Sequence, residues 1–381
     1  MFAHYDAPAR HARRAIAPSS VCTALHKPCR LFLGSTDFVS THPPDSVLDS
    51  IPSIDWRTLP PRAEFYTPVF PHPSFRSLLL AIALFFCTLA TCLVAGTQFA
   101  LAYANQQSAS IDEFLRALPL LYKNPAALLP GLPFALTLLT ILLAHELGHF
   151  FACRRHHIHS TYPFFIPFPS PLLGTFGAFI LIRSPIRTTR ALFDVGASGP
   201  IVGFLFAVPA LIYGVLHSAV VPALAHPDPS QTDVLFGAPL LLRLLNALFH
   251  PGVNPNTLLL PPIGRAAWVG LFATSLNLLP TAQLDGGHIL RSVSPRLHRL
   301  FSWLLPFGLL ALGYCTTLRP GSLQPQWSLW YVWAALLFGI RLLRTAPLYD
   351  PSPLDRPRQL LAFFTFVIFL LSFMPAPITT V

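Results

Sequence analysis

The feature that most constrains this chain is a series of apolar runs long enough to cross a lipid bilayer. A crossing helix needs about 20 apolar residues. Such runs lie at roughly 77–101, 131–153, 196–221, 264–290, 299–317, 327–343 and 359–375. They predict an all-α polytopic membrane protein with about seven transmembrane helices. Composition agrees: of 381 residues, 53% are hydrophobic and 10% are charged, against about 25% charged in an ordinary soluble domain. The net charge of +10 gives no reason to expect nucleic acid. The basic residues form no basic face and sit mostly in loops between apolar runs, as membrane proteins place them.

Residues 1–76 contain no long apolar run, and phrases such as THPPDSV and RTLPPRAEFYTPVFPHP break helices. They predict a Pro-rich, largely disordered cytoplasmic tail ahead of a membrane domain over 77–381. No signal peptide is expected, because no apolar core follows the early Arg residues. The six Cys match no disulfide or Cys-based zinc framework.

Loop charges set the expected orientation. Arg154, Arg155, Arg183, Arg187 and Arg190 follow the second run, Arg291, Arg296 and Arg299 the fourth, and Arg341, Arg344, Arg356 and Arg358 surround the end of the sixth. The opposite loops hold only Arg116 and Lys123, then Arg243, then Arg319. This alternation places the N-terminus in the cytoplasm and the C-terminus outside. Segment 234–250, with Arg243 at its centre, reads as an interfacial or re-entrant helix before the fourth span rather than as a crossing. The stretch 163–182 (PFFIPFPSPLLGTFGAFILI) carries four Pro between Arg-rich flanks. It predicts a re-entrant, partly extended loop, since non-helical backbone at membrane depth must be buried in protein or line a wet cavity.

Ionisable groups inside such spans are costly and mark functional sites. The second run ends in LLAHELGHFFACRR, so His145, Glu146 and His149 lie in the bilayer toward the cytoplasmic side. His145 and His149 share one helix face, one turn apart, and Gly148 leaves room beside them. This is the HExxH pattern, in which two His bind zinc and the Glu is the general base. A catalytic zinc ordinarily takes a third protein ligand. Asp285, in SLNLLPTAQLDGGHILR, is the only acid of the fourth run and lies at matching depth. Asp194, in LFDVGASGPIVGF, is its rival, although its position suits a helix N-cap better.

HELGH with a distant NLLPTAQLDGG resembles the site-2 protease family of intramembrane zinc metalloproteases. The family pattern Asn-x-x-Pro-x-x-x-Leu-Asp-Gly is met by Asn277, Pro280, Leu284, Asp285 and Gly286. GTFGAF at 174–179, RALFDVGASGP at 190–200 and the tail from Pro353 to Pro377 look like the cyanobacterial and plant chloroplast branch. The resemblance implies one catalytic zinc held by His145, His149 and Asp285, with Glu146 as base and Asn277 as a polar group stabilising the oxyanion or holding the substrate backbone. It implies an extended hairpin over 163–182 beside the site, pairing with an unwound substrate by strand addition, with Gly174 and Gly177 permitting close backbone approach. It further implies a single-span membrane protein as substrate, such as a membrane-tethered transcription regulator or an anti-sigma factor, and a bacterial inner (cytoplasmic) membrane as the setting.

Other features carry plainer expectations. His156, His157 and His159 read as solvated residues at the membrane surface. Gly199 and Gly203 give a GxxxG spacing for close helix packing. Trp327, Trp330 and Trp333 read as an interfacial aromatic belt. His288 reads as either a group orienting Asp285 or an interfacial residue.

Overall fold

The computed structural model describes residues 75–170, 173–222, 233–317, 329–342 and 352–380. The tail expected over 1–76 lies outside these residues apart from its last two, and so does Trp327. Helix α1 (Phe75–Ala104) is followed by strand β1 (Ala109–Ser110) and the short helices α2 (Ile111–Ala117) and α3 (Leu120–Lys123). A 3-10 segment, Pro125–Gly131, leads into α4 (Leu132–Arg155). Strands β2 (Phe164–Pro167) and β3 (Thr175–Phe179) form an antiparallel hairpin with a register shift between Ile166 and Pro167. Then come α5 (Thr189–Leu216), β4 (Ala219–Val220), β5 (Asp233–Phe236), α6 (Leu240–Phe249) and β6 (Leu258–Leu259). The remainder is α7 (Pro262–Asn277), α8 (Asp285–Val293), α9 (Pro295–Thr317), α10 (Leu329–Leu342), α11 (Arg356–Ser372) and β7 (Ile378–Thr380).

The protein is mostly helical, but not purely so. Beside the β2–β3 hairpin, β5 pairs antiparallel with β1 and β7, and β4 with β6. Among the described residues, three helices are long and apolar enough to cross a membrane by length and composition: Phe75–Ala104, Pro125–Arg155 and Thr189–Leu216.

Helix α4 lies against α5 and α7 at the centre of the fold, which is why its HELGH turn is buried. Its last turn carries Arg154 and Arg155, cations that suit the negative end of the helix dipole. Large apolar side chains such as Phe86, Leu304, Phe307, Phe363 and Phe366 point outward. Exposed apolar surface on this scale marks contact with lipid or protein.

Several expectations about the elements are corrected. The run 264–290 is two helices, with residues 278–284 forming a break between α7 and α8. Pro280 cannot donate to a helical ladder, and Ala282 adopts a left-handed φ of 51°. The break is pinned from α9, where Ser302 Oγ accepts from Ala282 N at 3.2 Å and His298 Nε2 lies 3.1 Å from Ala282 O. The run expected at 196–221 begins at Thr189 and ends at Leu216, because Thr188 caps it by accepting from Ala191 N at 3.1 Å. Asp194 is therefore inside the helix and is not its N-cap. Segment 234–250 is not one helix: Gly237 and Pro239 separate β5 from α6, and Arg243 Nε donates to Ala238 O at 3.0 Å. Trp330 is buried, with its indole N–H donating to Pro375 O at 2.7 Å, and so is no part of an interfacial belt.

Candidate metal centre and active site

The break between α7 and α8 brings a carboxylate to the HELGH turn. Asp285 is the first residue of α8, and a helix N-terminus favours a negative charge there. The tight return of the chain explains the glycine that follows it. A Cβ at Gly286 would collide with the Leu278 carbonyl oxygen. Replacing Gly286 with Ala is accordingly expected to displace Asp285 and lower metal affinity more than helix propensity would suggest, measurable by metal competition on the folded variant.

Three donor atoms converge. His145 Nε2 lies 3.1 Å from His149 Nε2, and each lies 3.3 Å from Asp285 Oδ2. A tetrahedral zinc with bonds of about 2.0 Å to N and O donors has ligand–ligand edges of about 3.3 Å. The triangle thus has the size of one face of such a site. All three residues are buried, at 3–5% exposure. The tautomer of His149 fits as well. Its Nδ1 lies 2.6 Å from Val195 O; a carbonyl only accepts, so Nδ1 carries a proton, which leaves Nε2 as the ring nitrogen that can turn a lone pair to a metal. Bare acceptors at such distances repel unless a proton or a metal cation sits among them. A backbone carbonyl fixing the far nitrogen of a metal-binding imidazole is the usual supporting arrangement.

Glu146, also buried, offers a carboxylate oxygen within 4.8 Å of the two ring nitrogens. Asn277 closes the other side, with Nδ2 3.4 Å from His145 Nε2. All five side chains singled out in the sequence on HELGH and NLLPTAQLDGG thus meet in one place. The two glycines of the hairpin do not. Gly174 has a left-handed φ of 73°, and a Cβ there would sit 2.7 Å from Cys92 Cα; its close approach is to α1. Gly177, with φ 108°, has nothing within 4 Å of a Cβ and lies opposite Ile166, at the register shift.

The GxxxG spacing of α5 serves the site itself. Gly199 lies directly against the His149 ring, where a Cβ would be 2.5 Å from Cε1 and 2.6 Å from Cδ2. A Cβ at Gly203 would be 3.1 Å from His145 Nδ1. The room left by Gly148 is taken by α5, since a Cβ there would be 2.6 Å from Ser198 O. His288 packs on α5 rather than at an interface, with its Cβ 2.8 Å from where a Cβ on Gly196 would stand.

Sequence reasoning missed a second polar cluster. Asp194 Oδ2 lies 2.8 Å from His156 Nε2, and Asp194 takes two bonds of 2.7 Å from Arg358 Nε and Nη2. With both oxygens engaged, Asp194 is not available as the third ligand, and His156 is no free surface residue. Arg358 lies 164 positions from Asp194, which no local pattern reveals. A cavity of about 760 Å³, lined by Leu143, Leu147, Phe151, Ile201, Val202 and Leu361 among others, runs along the face of α4 turned away from the histidines and is not the site.

Comparison with known proteins agrees with this geometry. Residues 133–302 match peptidase family M50. The probable chloroplastic zinc metalloprotease EGY1 of Oryza sativa subsp. japonica is 34% identical over 52% of this chain and 34% of its own length. The protein of the same name from Arabidopsis thaliana is 35% identical over 41% of this chain and 28% of its own. The probable chloroplastic zinc metalloprotease EGY2 of Oryza sativa subsp. indica is 29% identical over 63% and 49%. The chain thus spans between a quarter and a half of the length of these relatives. Their names give no support to the bacterial inner membrane expected above. No solved structure matches the chain. The HELGH turn and the Asp285 break both fall inside the stretch 133–302 that matches peptidase family M50, so the residues of the candidate site lie in the part of the chain that is similar to that family.

Proposed function

We propose that this protein is an intramembrane zinc metalloendopeptidase, cutting a peptide bond within or beside a transmembrane segment of its substrate. The observation that carries the reading is the buried triangle of His145, His149 and Asp285 donors, of zinc-ligand dimensions, with both histidines on a helix of membrane-spanning length and Glu146 beside them. Bound zinc would supply Lewis acidity for the scissile carbonyl and acidify a water. Glu146 takes a proton from the attacking water and returns it to the leaving amine. Asn277 offers its amide N–H₂ to the carbonyl oxygen as charge develops there. The glycine-lined packing of α5 on both imidazoles holds them for the metal without room for another side chain.

The substrate class is a single-span membrane protein, of which membrane-tethered transcription regulators and anti-sigma factors are examples. A substrate helix hides its carbonyls in its own hydrogen bonds and must unwind first. The β2–β3 hairpin, open at Gly177, offers an extended edge on which an unwound segment can add as a strand. Around the site we place seven crossings, the shorter α9, α10 and α11 with the broken α7–α8 pair completing the three long helices, and the hairpin as a re-entrant loop. The Arg-rich loops support a site toward the cytoplasmic side and a C-terminus opposite.

The test is metal removal. Purified protein in detergent micelles is incubated with a single-span substrate, with and without a strong zinc chelator. Cleavage is expected to stop with the chelator and return on adding zinc, with product ends inside or next to the apolar segment. Cleavage that persists without metal, or ends that map only to soluble loops, contradicts the reading.

A further inference from the structure

The geometry points to Asp194, locked by Arg358 and His156, as the residue that positions the Val195 carbonyl and through it the metal-facing tautomer of His149; this inference rests on the metal reading above. Helices α4 and α5 run antiparallel here, with His145 against Gly203 and His149 against Gly199. Polar ties join them at two points that matter here. One is His149 Nδ1 to Val195 O at 2.6 Å. The other is His156 Nε2 to Asp194 Oδ2 at 2.8 Å. His156 is the C-cap of α4, two turns past His149, and Asp194 precedes Val195. The pair therefore fixes both the rotation and the axial position of α5 at the point where its carbonyl must meet the imidazole.

Arg358, from the first turn of α11, makes this tie rigid. Its Nε and Nη2 grip both oxygens of Asp194, and its Nη1 donates to Asp355 Oδ2 at 2.8 Å. A forked, two-bond grip of this kind fixes geometry as well as charge. The cluster is only about one-fifth exposed at Asp194, His156 and Arg358, so water competes for it less than at a surface pair. Asp194 and Arg358 thus act through Val195, since the bonds of Asp194 go to His156 and Arg358 rather than to the three donor atoms.

Loss of a group that orients a metal-binding imidazole typically weakens metal affinity by about 10–100-fold. Zinc affinity is measured by competition with a chromophoric chelator on the full chain in micelles, with thermal unfolding of the metal-free form recorded alongside. Asp194→Asn and Arg358→Gln are each expected to bind zinc at least ~10-fold more weakly than the wild type. Arg358→Lys, which keeps the charge but not the fork, is expected to fall between and guards against a variant that fails to fold. Asp355→Asn, which spares both bonds to Asp194, is expected to bind zinc as the wild type does. Wild-type affinity in Asp194→Asn and Arg358→Lys overturns the inference. So does a pattern in which Asp194→Asn abolishes binding while Arg358→Gln has no effect, which would make Asp194 a ligand. A wild type that takes up no zinc contradicts instead the metal reading on which the inference stands.

Discussion

Replacing Gly199 with Ala is expected to strip the protein of its zinc while leaving it folded. The added methyl carbon would overlap the edge of the His149 ring, 2.5 Å from Cε1 and 2.6 Å from Cδ2. Neither partner can yield cheaply. Gly199 is fixed in a helix that packs along α4, and His149 is held from behind by Val195. Helix propensity runs the other way: Ala is about 1 kcal/mol better than Gly in a helix interior, so α5 itself gains. The site therefore bears the cost, and zinc affinity is expected to drop by more than the ~100-fold typical of losing a supporting group. Gly203→Ala provides the graded comparison. Its Cβ would stand 3.1 Å from His145 Nδ1, close enough to crowd the ring but within reach of a small shift. Its zinc affinity is expected to lie between those of the wild type and Gly199→Ala. Equal, near-native affinities for both would mean that α5 does not press on the imidazoles as described.

Glu146→Gln is expected to keep the metal and lose the chemistry. The amide matches the carboxylate in shape but cannot take a proton from water, and positioned acid–base groups contribute about 10²–10⁴-fold to such reactions. Cleavage of a single-span substrate should fall by that order, with one zinc per chain retained, because the triangle of His145, His149 and Asp285 does not include Glu146. Undiminished cleavage in a zinc-loaded Glu146→Gln protein would remove Glu146 from the mechanism.

The residues of the candidate site were legible in the sequence because cost made them conspicuous. His145, Glu146 and His149 interrupt a lipid-length apolar run, and Asp285 is the only acid of the run at 264–290. The architecture around them was less legible. Hydropathy alone joined α7 to α8, since Leu278, Leu279 and Leu284 are as apolar as any span. The signals that contradicted it were Pro280 and the small and polar residues Thr281, Ala282 and Gln283, which mark a break rather than a lipid-facing surface. That break makes Asp285 the start of a helix and so lets it reach the histidines.

The glycines of α5 show a different shortfall. Gly199 and Gly203 announced close packing, but a spacing rule names no partner, and the partners are the two imidazoles. Asp194 was misread as a cap because its neighbours in sequence suit one, while the groups that hold it, His156 and Arg358, come from α4 and α11. Trp330 looked interfacial for the same reason. Its N–H partner, Pro375 O, arrives only when the chain beyond α11 folds back.

The most direct test of the account is the zinc absorption edge of the purified protein, compared between wild type and Asp285→Asn. The wild type is expected to show one zinc per chain with only nitrogen and oxygen neighbours at about 2.0–2.2 Å, two of them imidazole. Asp285→Asn is expected to lose most of its bound zinc. A shell containing sulfur at about 2.3 Å, or one unchanged in Asp285→Asn, would contradict the assignment of His145, His149 and Asp285 as the metal centre.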